Sequence, residues 1–301
     1  DWEFSKVIYP FNTRIISSFL IYLLNKTGLF YFTAINYYNP YIYIDQQVYF
    51  NAIFFNYICL VFTAFVVFKM INTFFKNMLF AFITGLLVFL GFGALFYSIN
   101  PLTDSFSYLL FSLIFFSYLL RNYLLLPLLL MAVFQREYIF FVMGLISLVD
   151  AIYYKNEKKY FLIVFFSSLF CFLLYYVLRK TLFYTPDFSN QLNFKNLFTS
   201  LFHPHFPGMS YLRQSLLNQN ILILYGCIIL YKIRKKISYN RVYLLISILL
   251  VAQSHFISLA SNLGNNCGRY FYITLPVFLY YIAYEAYPLL SGYLKTEIEK
   301  T

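Results

Sequence analysis

The chain has 301 residues, of which 61% are hydrophobic, 24% aromatic and only 11% charged. A water-soluble domain carries about a quarter charged residues, so too few polar side chains are present to coat a water-soluble globule, and the mean hydropathy of +0.69 agrees. The net charge of +11 is gathered in short Lys/Arg clusters between apolar runs, which fits membrane topology and argues against nucleic-acid binding.

Apolar runs of about 20 residues recur, the length that a roughly 30 Å hydrocarbon core demands. A β-barrel would instead show short segments alternating with polar lumen positions, and the sequence has no such alternation. The fold class expected is all-α: a polytopic transmembrane helical protein of about 8–10 membrane helices, with an amphipathic interfacial helix in its first outer loop. Cys59, Cys171, Cys227 and Cys267 are scattered with no C-x-x-C spacing, so neither a zinc site nor a disulfide framework is indicated. The first residue is Asp1, which leads to the expectation that a preceding segment with a first membrane helix is missing.

In chain order, a polar start leads into residues 14–24, which read as the interfacial helix. Residues 25–47, rich in Tyr and Asn, read as a loop at headgroup level. Residues 48–68 are the first clear span, ending at Lys69 and Lys76, and residues 79–97 return. A turn over 98–104 holds Asn100-Pro101, and 105–120 crosses again to Arg121. Two shorter apolar pieces, 124–134 and 138–149, flank Gln135-Arg136-Glu137 and read as a broken or shallow pair. Lys155, Lys158 and Lys159 follow, then a span over 161–178 and a long polar loop over 179–218. Residues 220–231 span to the Lys232–Lys236 cluster, 242–259 cross back, 260–268 turn, and 270–290 end the membrane part.

Alternation of these spans places Lys69, Lys76, Arg121, Lys155–Lys159, the 232–241 cluster and the C-terminus on one side. Short loops dense in Lys and Arg mark it as cytoplasmic. The chain is thus expected to be one transmembrane domain over 1–301, with the 179–218 loop extracytoplasmic.

An ionised group at mid-helix in lipid costs about 2.5–3.5 kcal/mol or more, so isolated charges beside apolar spans are the candidates for chemistry. Asp1 and Glu3 are each suited either to a general base near a low-dielectric boundary or to a solvated loop. Arg14 either holds a phosphate or snorkels to the interface. Asp104 follows Asn100-Pro101 and reads as a helix-start carboxylate. Arg136 and Glu137 form a charged couple between two apolar pieces, either functional or self-neutralising. Arg269, after Gly268 and before Tyr270, offers a planar fork of donors for a phosphate or anchors the helix at the interface. His203 and His205 lie in the long loop, as substrate contacts or as plain loop residues. No phosphate-binding glycine loop, Ser/His/Asp order, arginine ladder or channel filter is present.

Four pieces, taken together, resemble a known family. Tyr9-Pro10-Phe11-Asn12-Thr13-Arg14 is similar to the Pro-Phe-x-x-Arg stretch in the first outer loop of bacterial GT-C-fold glycosyltransferases. Asn100-Pro101 before Asp104 is similar to their Asn-Pro-x-x-Asp turn. Phe134-Gln135-Arg136-Glu137 resembles their Arg-Glu element, and Gly268-Arg269-Tyr270 a late Arg-Tyr at a helix start. The order and the expected sidedness of the pieces agree with the family.

The resemblance implies an inverting enzyme of a bacterial inner membrane that takes a sugar from a polyprenyl-phosphate carrier on the extracytoplasmic side. It points to Asp1 or Glu3 as base, with Asp104 as a second acidic candidate. Arg14, Arg136 and Arg269 would hold the carrier phosphate, and Glu137, His203, His205 and Tyr270 would face substrate. The implied partners are the lipid-linked sugar donor, a glycan, lipid or protein acceptor, and the bilayer; no cofactor is indicated and nucleic acid is not expected. Two other functions fit the composition, a lipid-linked polysaccharide polymerase or flippase and a small-molecule transporter. Neither pseudo-symmetric halves nor paired broken helices are visible to support them.

Overall fold

The computed structural model describes residues 15–28, 46–90, 104–182, 219–260 and 271–298, and among the described residues the fold is all-helical. The helices are α1 (Ile15–Thr27), α2 (Gln46–Phe75), α3 (Met78–Leu90), α4 (Asp104–Leu119), α5 (Leu125–Val133) and α6 (Tyr138–Tyr153). After a single 3-10 turn at Lys155–Glu157 come α7 (Lys158–Leu182), α8 (Asn220–Arg234), α9 (Arg241–Ala260) and α10 (Leu275–Ile298).

Helix α4 lies at the centre. Its Tyr108, Phe111, Phe115 and Tyr118, spaced three or four apart and so on one face, are at most 1% exposed. α2 packs on α1, α3 and α4, while α10 leans on α2, α3, α4 and α8. α6 joins α7 on one side and α9 on the other, and α5 fills the gap between α4 and α7. Gly85 lets α3 approach α2 closely: a Cβ there would stand 3.1 Å from the Ala64 carbonyl oxygen and 3.3 Å from Phe68 Cβ. Small residues serve this purpose where backbones meet.

Among the described residues two helical stretches are long and apolar enough to cross a membrane, Phe50–Phe75 and Lys155–Leu178. Only 39% of the first window and 28% of the second is buried inside the protein. Val61, Phe62 and Phe65 on α2, Phe82 on α3, and Phe166 and Phe170 on α7 are all more than half exposed. The remaining apolar helices are shorter, α5 being only about 13 Å long at 1.5 Å per residue.

Helices α2, α7 and α10 differ from expectation at their ends. α2 takes up Gln46 and Gln47 from the expected loop and runs past Lys69 to Phe75. The Lys69 ammonium lies over the Phe65 ring at 5.5 Å, so a cation here extends along the helix surface without ending it. α7 continues through 179–182, residues expected in the long loop, because Arg179 and Lys180 are themselves good helix formers. The last span is divided: residues 271–273 form one helical turn, Thr274 breaks it, and α10 then runs beyond 290 to Ile298. The expected break between 134 and 138 is present, between α5 and α6.

Helices α2, α4 and α8 end in the same way. Lys76, Arg121 and Lys236 have φ values of 53°, 55° and 55°. The amides of Asn122 and Ile237 reach back to the Ser117 and Lys232 carbonyls at 2.9 and 2.8 Å, the closure of a Schellman motif. Glycine would adopt this left-handed conformation with less strain. A basic residue instead sets its charge near the negative end of the helix dipole.

Candidate functional site

Asp104 is the first residue of α4, where a carboxylate is favoured by the helix dipole. Arg136 sits in the break between α5 and α6. The two form an ion pair through Arg136 Nη1 and Asp104 Oδ1, with side-chain exposures of 4% and 0%. Two charges buried in this way are tolerated only as a pair, and the non-helical backbone beside them is covered by surrounding protein. Gln135 and Arg136, both nearly fully buried, have that cover.

Hydrogen bonds tie this end of the bundle together. Gln135 Nε2 donates to Ser107 Oγ on α4 at 3.0 Å, and Gln135 Oε1 accepts the Ser17 amide of α1 at 3.4 Å. One side chain in the break thus fastens α1 to the central helix α4. Tyr138 and Ser254 share a hydrogen bond of 2.7 Å between α6 and α9. Gln219 Nε2 and His255 Nε2 are 2.9 Å apart, and Asn220 Nδ2 donates to the Leu90 carbonyl at 2.8 Å. Tyr108 and Tyr272 lie ring to ring at 4.3 Å. The starts of α1, α4, α6 and α8 and the ends of α3 and α9 therefore meet at one polar end.

Of the residues expected at the site, the structure brings Asp104 and Arg136 together. It corrects one reading of their neighbour. Arg136 does not neutralise Glu137: its guanidinium turns to Asp104, and among the described residues Glu137 forms no ion pair. Adjacent side chains leave a helix start in different directions, so the longer-range partner wins. Asp1, Glu3, Arg14, His203, His205, Arg269 and Tyr270 lie outside the described residues. Among the described residues no three His, Cys, Asp or Glu side chains gather into a metal-binding group.

The opposite end holds the basic turns and charges that sequence reasoning passed over. Glu285 of α10 pairs with Lys232 of α8, both buried, and its Oε1 accepts the Asn240 amide at 2.8 Å. Arg121 pairs with Glu157 and lies over the Tyr118, Tyr160 and Phe161 rings, closest to Phe161 at 4.6 Å. Tyr118 donates to Asp150 Oδ2. Glu285 was visible in the sequence as a lone carboxylate within an apolar span, the same signal that singled out Arg136. Asp150 stands close to the Lys155–Lys159 cluster, and no local sequence signal marks it.

No protein-family model matches the chain, and neither a curated protein nor a solved structure matches it.

Proposed function

We propose that the chain is a polytopic membrane protein with the Asp104–Arg136 end facing outward, and that it transfers a sugar from a polyprenyl-phosphate carrier to an acceptor hydroxyl there. Support for the membrane setting comes from the large apolar side chains left exposed along α2, α3 and α7. In water, contiguous apolar surface of that extent leads to association. Gathering of the basic turns at the other end favours that end as cytoplasmic.

The observation that carries the enzymatic reading is the buried Asp104–Arg136 pair at a helix break. Without donor, each group satisfies the other. A carrier phosphate reaching Arg136 replaces the carboxylate at the guanidinium, and the planar fork suits a phosphate as well as it suits Asp104. Asp104 is then released to act as base. In the transfer, the acceptor oxygen bonds to the anomeric carbon, the bond from that carbon to the phosphate oxygen breaks, and the acceptor proton passes to Asp104. Arg136 stabilises the departing polyprenyl phosphate in a partly dehydrated site. Because both groups are covered, donor binding has to part α1 and α5 from the start of α4.

The test is release of polyprenyl phosphate by the full chain in proteoliposomes, given a panel of polyprenyl-phosphate sugars and a membrane glycan extract as acceptor. Release with at least one donor, reduced about 10²-fold or more by Asp104→Asn in a variant that stays monodisperse, is the expected result. Absence of release across the panel by monodisperse wild-type protein would overturn the reading.

A further inference from the structure

A cavity of about 610 Å³ opens at the basic end of the bundle, at the far end of α4 from the Asp104–Arg136 pair. Its volume falls within the 300–1,000 Å³ of ordinary ligand pockets. Four charged side chains line it: Arg121, Asp150, Lys155 and Glu157. Two of them are committed to each other, since Arg121 and Glu157 form an ion pair. Arg121 is held further by the Tyr118 carbonyl at 3.0 Å.

The other two form no ion pair among the described residues. Asp150 is only 6% exposed. Its Oδ2 is taken by the Tyr118 hydroxyl, but its Oδ1 is buried and accepts no hydrogen bond from the protein. A carboxylate oxygen in that state is unfavourable by a few kcal/mol unless a donor reaches it. Lys155 is exposed at the rim and forms no ion pair among the described residues. Tyrosine rings line the same cavity, with Tyr243 and Tyr281 stacked at 4.2 Å and 10°. The cavity is thus an acid at depth, an aromatic wall and a base at the mouth.

We propose that this cavity binds a phosphoethanolamine-type zwitterion, its primary ammonium donating to Asp150 Oδ1 and its phosphate meeting Lys155. An ammonium is the ligand group that both satisfies a lone carboxylate oxygen and gains from flanking tyrosine faces. A primary ammonium is preferred over a quaternary one because only the former carries N–H donors. Such a zwitterion is supplied either by a phosphatidylethanolamine headgroup or by a soluble phosphoethanolamine ester; the required chemistry is the same. The proposal does not depend on the sugar-transfer reading, which concerns the opposite end.

The full chain in detergent is titrated with dioctanoyl-phosphatidylethanolamine, its phosphatidylcholine counterpart, O-phosphoethanolamine and ethanolamine, with binding followed by thermophoresis. Saturable binding of an ethanolamine probe is expected, at least tenfold weaker for the choline lipid and for Asp150→Asn. Binding of the lipid alone identifies the bilayer as the source, and binding of O-phosphoethanolamine as well identifies a soluble ester. Lys155→Gln, a rim substitution that leaves the fold intact, is expected to weaken the phosphate-bearing probes and spare ethanolamine. Three results would each overturn the site: no saturation by any probe, equal affinity for ethanolamine and choline lipids, or a Lys155→Gln variant indistinguishable from wild type.

Discussion

Arg136 reaches past its neighbour Glu137 to pair with Asp104 at the first turn of α4, and both partners are buried. The pair therefore fastens the α5–α6 break to the central helix as well as supplying charge. Removal of one member of a buried pair leaves the other uncompensated, which is destabilising by about 3–5 kcal/mol. Arg136→Met and Asp104→Leu are each expected to lower unfolding stability by that order. The double variant should lose much less than the two singles added, because no orphaned charge remains. Chemical denaturation of the four proteins in one detergent measures the coupling, and simple additivity would show that the pair is not formed.

Close packing of α3 on α2 at Gly85 gives a second test. With the Ala64 carbonyl and Phe68 Cβ already near van der Waals limits of any added carbon, Gly85→Leu has no room without parting the helices. Overpacking of this kind is destabilising by about 1–3 kcal/mol. A lower thermal midpoint is expected for Gly85→Leu, while Gly226→Leu, where no atom lies within 4 Å of an added Cβ, should leave the midpoint nearly unchanged.

Sidedness is tested by single cysteines in a background with the four native cysteines replaced by serine. Asn156 and Ser238 are exposed in turns at the basic end, and Thr27 is exposed at the end of α1. Asn156→Cys and Ser238→Cys should resist a membrane-impermeant maleimide in intact cells and react after permeabilisation. Thr27→Cys should react without permeabilisation. Labelling of all three from outside would show that the two ends do not lie on opposite sides of a membrane.

The helical class, most helix positions and the break at 134–137 were legible in the sequence, because each depends on local composition. Apolar runs of a given length make helices, and polar interruptions such as Gln135-Arg136-Glu137 halt them. The same bookkeeping isolated Asp104 and Arg136 as charges in unfavourable places. Helix ends were less legible, since a capping conformation decides them: the left-handed φ of Lys76 ends α2, not the earlier cation Lys69.

Partnership was not legible at all. Nothing local says that Arg136 prefers Asp104 to the adjacent Glu137, that Lys232 meets Glu285, or that Asp150 stands in a tyrosine-walled cavity with one oxygen unbonded. Those facts depend on which faces of α4, α6 and α10 turn towards one another. A sequence fixes the intrinsic cost of each buried charge through its composition alone, whereas only the packed bundle supplies the partner that makes the cost bearable, because the partner arrives from a distant stretch of chain.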